Sequence, residues 1–186
     1  MQQSAVFLDR DGTINQDRGY IVNREDFIFE EGAVAAISLL NQAGFRVIVV
    51  SNQAGIAHGH FSPQAVDSLH RWVNEQLAAA GAYIDAFYYC PHHPAGLPPY
   101  RQICDCRKPA PGMLLKAAAD FSLDLEACWL VGDHQSDIAA GIAAGVRPLF
   151  VLTGHGRHEL SKVAATTPRA ANLYEAVTRH ILSPGQ

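Results

Sequence analysis

The sequence is sparing with cysteine. It has four in 186 residues, and three of them crowd into residues 90–106, which is not the disulfide-dense scaffold of a secreted protein. An excess of positive charge is missing too. Against 18 acidic residues stand 14 basic ones, a formal net charge of −4, so the electrostatic footprint of nucleic-acid binding is lacking. No apolar run approaches the roughly 18–20 residues that span a bilayer. Met1-Gln2-Gln3-Ser4 carries neither a basic region nor a cleavable apolar segment. Internal repeats and low-complexity linkers are also lacking. With 48% apolar and 17% charged residues, a normal core is expected and disorder is not. At roughly 100–200 residues per domain, the expectation is one domain over 1–186. It is expected to be cytoplasmic, with no nucleic-acid or membrane partner. Without a heptad seam, a monomer is the default.

What is present is an alternation of strands and helices. Short apolar runs at Ala5–Leu8, Arg46–Val50, Tyr83–Tyr89, Cys128–Val131 and Pro148–Leu152 are bounded by polar residues or glycine and read as buried strands. Between them lie helix candidates at Ala33–Ala43, from Ser62-Pro63 to about Ala80, from Pro111 through Asp120, at Asp137–Ala144 and at Leu173–Leu182. The pattern predicts an α/β protein, a Rossmann-like three-layer sandwich with a mainly parallel sheet. The one long stretch without periodicity is Cys90–Pro109, and loops of that length are usually functional.

Ligands of open parallel sheets bind beyond the carboxyl ends of the strands. Asp9-Arg10-Asp11-Gly12-Thr13, Ser51-Asn52-Gln53 and Gly132-Asp133-His134-Gln135-Ser136-Asp137 each follow a predicted strand. Taken singly, each is an ordinary turn or helix cap. On neighbouring strands they would bring Asp9, Asp11, Asp133 and Asp137 into one crevice, which requires a cation or protons to offset the charge. All-oxygen surroundings of this kind suit magnesium. In the long loop, Cys90-Pro91-His92-His93 and Cys104-Asp105-Cys106 can complete a closed Cys₃His zinc site. A disulfide is the rival, and the spacing does not choose between His92 and His93. Cys128 reads as a small buried hydrophobe.

With Asp9-x-Asp11-Gly12-Thr13, then Ser51, Lys108 and Gly132-Asp133-x-x-x-Asp137 in that order, the chain resembles the haloacid dehalogenase superfamily of phosphohydrolases. The resemblance implies that Asp9 attacks phosphorus to form an aspartyl-phosphate. Asp11 then protonates the leaving oxygen and later deprotonates water. Separated carboxyl pKa values suit one nucleophile and one acid. Magnesium would be held by Asp9, the backbone carbonyl of Asp11 and Asp133, with Asp137 orienting water ligands or Lys108. Ser51 and Asn52 would bind phosphoryl oxygens, and Lys108 would offset their charge.

The cysteine loop narrows the resemblance to the zinc-containing subfamily that hydrolyses heptose bisphosphates and histidinol phosphate. There the zinc ligands map to Cys90, His92, Cys104 and Cys106, and the loop replaces a large cap domain. Similarity at Asn15, Asp17, Gly19-Tyr20, Ser51–Ala57 and Cys104–Pro109 implies removal of the 7-phosphate from a heptose 1,7-bisphosphate. The alternatives are histidinol phosphate as substrate or, from another class, a non-catalytic zinc-stabilised binding module. Arg107 reads either as a forked contact to the second phosphate or as an exposed loop side chain. Asp17, Tyr20 and Arg24 are candidate sugar contacts. His58 and His134 replace the Arg and Lys of the family pattern, and His60, His155 and His158 receive no role.

Overall fold

The apolar runs do form strands, and their alternating side chains decide which helices cover which face. A computed structural model describes residues 3–183. Its strands are β1 (Ala5–Leu8), β2 (Arg46–Asn52), β3 (Ala86–Cys90), β4 (Trp129–Gly132), β5 (Arg147–Val151) and β6 (Arg169–Ala170). They lie in the order β3-β2-β1-β4-β5-β6 and every pairing is parallel. The helices are α1 (Ala33–Gln42), α2 (Ala54–Ala57), α3 (Pro63–Ala78), α4 (Gly112–Phe121), α5 (Gln135–Ala144), α6 (Gly156–Glu159) and α7 (Leu173–Ala176).

Successive strand residues point to opposite faces. Val6, Leu8, Val47, Val49 and Val131 pack in one core with α1, α3 and α7. Ala5, Phe7, Ile48, Val50 and Leu130 pack in the other with α4 and α5. This is the expected three-layer sandwich. The central β1 is buried on both sides, so it is apolar throughout rather than alternating.

Helix ends follow local chemistry. Ser62 Oγ accepts the N–H of Ala65 at 3.3 Å and Pro63 occupies the first turn. The helix then buries the stripe Val66, Leu69, His70, Val73 and Leu77. Gly145 ends α5 in the left-handed region, at φ 78°.

Boundaries differ from expectation where side chains replace the backbone ladder. β3 begins at Ala86 rather than Tyr83, because Asn74 brackets Ile84 by donating to its carbonyl and accepting its N–H. Asp85 likewise takes the Val47 N–H at 2.8 Å and an Arg46 N–H at 2.6 Å. The expected helix at Leu173–Leu182 is α7 followed by a π-helical turn, Val177–Ile181. β6, two residues long, shows no apolar run to find. Among the described residues no helix is long and apolar enough to cross a membrane.

Because β1 lies between β2 and β4, the three polar clusters meet at one edge of the sheet. The connections leave β1 and β4 in opposite directions there, which opens the crevice of a switch point. The Ser62 cap makes a separable prediction. Ser62→Ala should destabilise the fold by about 1 kcal/mol, read as a lower denaturant midpoint with an unchanged slope.

Candidate active site

Lys108 sits at the floor of the crevice, buried, with its ammonium set between two carboxylates and a backbone carbonyl. Nζ donates to Asp9 Oδ1 at 2.8 Å and to the Val50 carbonyl at 2.7 Å, and it pairs with Asp137 Oδ1 at 2.7 Å. The two carboxylates raise the lysine pKa against the opposing effect of burial. Asp137 Oδ2 meanwhile accepts the His134 N–H at 2.9 Å, so one carboxylate opens α5 and fixes the lysine. Of the two tasks expected for Asp137, orienting water ligands or Lys108, the geometry places its carboxylate against Lys108. Gly132 is required beside it, since a Cβ there would lie 2.2 Å from Asp137 Oδ2. Asn52 has a task that its spacing did not reveal. Its amide donates to the Lys108 carbonyl and accepts the Lys108 N–H, both at 3.0 Å, which locks the loop to the end of β2.

Asp11 is held quite differently. Arg10, buried beneath it, donates to both its carboxylate oxygens at 2.9–3.2 Å. Asn15 Nδ2 and Gln53 Nε2 each add a bond at 3.0 Å. Gln53 also reaches Ser51 Oγ at 2.8 Å. Burial would raise the Asp11 pKa, but the Arg10 charge and these bonds outweigh it and the pKa is lowered. Asp9 moves the other way, up to about 6, through burial first, with Lys108 opposing and Asp137 and Asp11 adding to the rise. The two carboxyls are therefore separated as expected, but in the order opposite to nucleophile and acid. A divalent cation beside Asp9 is the kind of charge that reverses such an order.

The donor set fits a hard cation. Ligand atoms of Asp9, Asp133, His134 and Asp137 lie within 4.8 Å of one another. Asp133 is wholly buried and raised, chiefly by that burial. Its Oδ2 accepts the His155 N–H at 2.7 Å and its Oδ1 meets His134 Nδ1 at 3.1 Å. The hydrogen bond to Asp133 lifts His134 to about 9. Three carboxylates thus face Lys108 and His134, with negative charge in excess. Asp11 lies outside this close cluster, with Arg10 compensating its charge, but it lines the same cleft as Asp9 and Asp137. Gly12, at φ 84°, presses against Asp133, and a Cβ there would come within 2.2 Å of Oδ2.

In the long loop, Cys90, His92, Cys104 and Cys106 converge. The sulfurs are 3.1–3.5 Å apart, and His92 Nδ1 lies 3.4 Å from Cys106 Sγ. A disulfide holds its sulfurs at about 2.05 Å, so none is formed. Tetrahedral zinc, with Zn–S of about 2.3 Å, separates sulfurs by about 3.8 Å, close to this arrangement. His93 instead bonds its ring nitrogen to the Ala95 N–H, so geometry favours His92. Cys128 is a buried core residue, as expected.

A cleft of about 380 Å³ is lined by the catalytic candidates together with Asp17, Gly19, Tyr20, Asn52, Arg107, His134 and Ser136. Arg107, Asp17 and Tyr20 therefore lie on the cleft wall, whereas exposed Arg24 does not. Arg107 donates to the His92 carbonyl at 3.2 Å. His155, left without a role, pairs with Asp17 Oδ2 at 3.1 Å as well as holding Asp133. Thr153, beside it, donates to the Gly12 carbonyl at 2.6 Å. The position of Thr153-Gly154 at a strand's carboxyl end was the only signal for either.

Such a crevice is that of a haloacid-dehalogenase-type hydrolase, and a HAD-hydrolase-like family profile matches residues 105–176. The D-glycero-beta-D-manno-heptose-1,7-bisphosphate 7-phosphatase of Escherichia coli K12 is 46% identical over 152 residues, 81% of this chain and 80% of the relative. The corresponding D-glycero-D-manno-heptose enzyme of Chlorobaculum tepidum is 42% identical over 95% of this chain and 94% of its own. Among solved structures, the D,D-heptose 1,7-bisphosphate phosphatase of B. bronchiseptica, complexed with magnesium and phosphate, superposes with a TM-score of 0.85. It is 34% identical and covers 95% of this chain and 96% of that one. The chain belongs to the family of heptose-1,7-bisphosphate 7-phosphatases within the haloacid dehalogenase class.

His70, in contact with Arg10 Nη1 at 3.3 Å, predicts a pH effect on stability. Burial and then the Arg10 charge depress it from 6.5 to about 3. The unfolded chain takes up a proton below pH 6.5 that the folded chain resists, so His70 is neutral to stability above that pH and increasingly destabilising as pH falls from 6.5 toward 3. Wild type should lose stability relative to His70→Gln over this window, by up to about 1.4 kcal/mol per pH unit, measured by denaturation at successive pH values.

Proposed function

We propose that this chain is a magnesium-dependent phosphomonoester hydrolase that removes the 7-phosphate of D-glycero-D-manno-heptose 1,7-bisphosphate through an aspartyl-phosphate. The observation that carries the reading is the buried Lys108, which pins Asp9 Oδ1 at 2.8 Å and leaves the other carboxylate oxygen to react. In the proposed sequence, Asp9 Oδ2 forms the new bond to phosphorus as the bond to the sugar oxygen breaks. Asp11 delivers its proton to that oxygen, and in the second half takes one from the water that displaces phosphate from Asp9. Ser51 and the free amide hydrogen of Asn52 bind the transferring oxygens, and Lys108 offsets their charge. Asp9, Asp133 and the Asp11 carbonyl are the groups proposed to hold magnesium, which supplies charge compensation for phosphate and carboxylates alike.

The substrate assignment is supported by the relatives, none of those cited being a histidinol phosphate enzyme. Within the cleft, Arg107 is proposed to receive the second phosphate and Asp17 and Tyr20 the sugar. Zinc at Cys90, His92, Cys104 and Cys106 would order the loop that delivers both Arg107 and Lys108. Burial pushes the Cys90 thiol up, so a cation is what would draw its thiolate form.

Steady-state kinetics on the heptose bisphosphate and on histidinol phosphate test the assignment. The expected result is a clear kcat/KM preference for the heptose, and the reverse preference would sink it. Asp9→Asn should lower kcat by ~10³-fold or more, and full activity in that variant would refute Asp9 as the nucleophile. Lys108→Ala should lower kcat by ~10²-fold with a smaller change in KM. Metal analysis of protein purified without chelator should find about one zinc per chain for the four donors, and finding none would remove the zinc assignment.

A further inference from the structure

Among the described residues Arg10 is the largest side chain that is fully buried, and the proposed chemistry gives it no step. An apolar residue would be far easier to bury there. The guanidinium instead bridges two groups from distant parts of the chain. On one side it grips Asp11, whose carboxylate borders the cleft. On the other, its Nη1 lies 3.3 Å from His70 Nε2 on α3. Guanidinium carries donors only, so Nε2 is the acceptor and the imidazole is neutral, with its proton on Nδ1. The ring is itself immobilised, stacked on Phe87 of β3 at 4.3 Å and 15°, with Tyr89 edge-on at 5.8 Å. Nη2 also donates to the Ile21 carbonyl at 2.9 Å, so Arg10 is held from two directions besides Asp11.

We infer that His70 is a positioning residue for the reaction, which through Arg10 aims the Asp11 carboxyl at the leaving oxygen of the phosphate ester. The inference rests on the phosphatase reading and on Asp11 as its general acid. It has a signature that a purely structural histidine lacks. A sugar alkoxide is a poor leaving group and needs the proton, whereas p-nitrophenolate leaves without one. Since kcat/KM covers the steps only through departure of the leaving group, misaimed Asp11 lowers it for a sugar phosphate and spares it for p-nitrophenyl phosphate.

The test compares wild type, His70→Gln and His70→Phe on the heptose bisphosphate and on p-nitrophenyl phosphate, with thermal melting of each. Gln places a carbonyl where Nε2 stood and keeps the acceptor, whereas Phe fills the space without one. Phe should lose ~10- to 100-fold in kcat/KM on the sugar ester, less than threefold on the aryl ester, and Gln should stay near wild type. Where Phe does not fold, His70→Asn, whose shorter amide stops short of the guanidinium, takes its place with the same expectation. Equal losses on both esters, no loss on either, or a Gln variant as impaired as Phe would overturn the inference. A wild type that hydrolyses neither ester would overturn the phosphatase reading instead, so the two failures are distinct.

Discussion

The site depends on one buried ammonium. Lys108 Nζ joins Asp9 at the end of β1, the Val50 carbonyl within β2, and Asp137 at the head of α5. A lysine this deep is stable only because it is hydrogen-bonded to Asp9 and the Val50 carbonyl and two carboxylates share its charge. Removing either carboxylate would strand the cation, and removing the cation would leave two buried anions facing each other. The constraint extends outward. Asn52 clamps the Lys108 backbone, and at the loop's start the Gln53 N–H, just past β2, holds the Cys90 carbonyl at 2.9 Å. The loop that carries the cysteines is therefore fastened at both ends to the catalytic sheet.

Two aspartates only two residues apart end up in opposite electrostatic settings, and the cause lies in what each faces. Asp9 points into the carboxylate-rich crevice, where burial and neighbouring anions push protons onto it. Asp11 points back to Arg10, Asn15 and Gln53, where positive charge and donated hydrogens strip them off. The role proposed for each requires the other order, so the crevice as built is incomplete without added positive charge near Asp9. The excess of Asp9, Asp133 and Asp137 over Lys108 and His134 points to the same need. That need for compensating positive charge, met by protons or by a cation, comes from the charges themselves and is independent of any relative.

How much could be read beforehand follows from how local each signal is. Strands bounded by Asp9, Ser51 and Gly132 were legible because a short apolar run ending in polar residues fits little besides a buried strand. Their ends were less so, since Asp85 and Asn74 stop β3 with side chains from neighbouring segments. Of the site, the carboxylates, Ser51 and Lys108 stood out by their places at strand and helix ends. Arg10 did not. An arginine between two aspartates looks like a solvated charge run, and its partner His70 is sixty positions away. The clamp that Asn52 makes and the hold of His155 on Asp133 were illegible for a related reason, since each acts on or through a backbone group, and a backbone donor has no letter in a sequence.

The loop from Cys90 to Lys108 is where stability and specificity meet. Its cysteines and His92 form a knot at the end of β3, and Arg107 reaches back to the His92 carbonyl while also lining the cleft. An arginine between Cys106 of this knot and the buried Lys108 has little freedom to leave the cleft wall. Its guanidinium spends one N–H on His92 and has the rest of its fork free for a second anion. In a chain whose sheet and loops already account for the described residues, a short loop tied by the proposed zinc would thus do what a separate cap would do. On the proposed roles, it sets the distance between Arg107, which would receive the far end of the substrate, and Asp9, which would attack the near one.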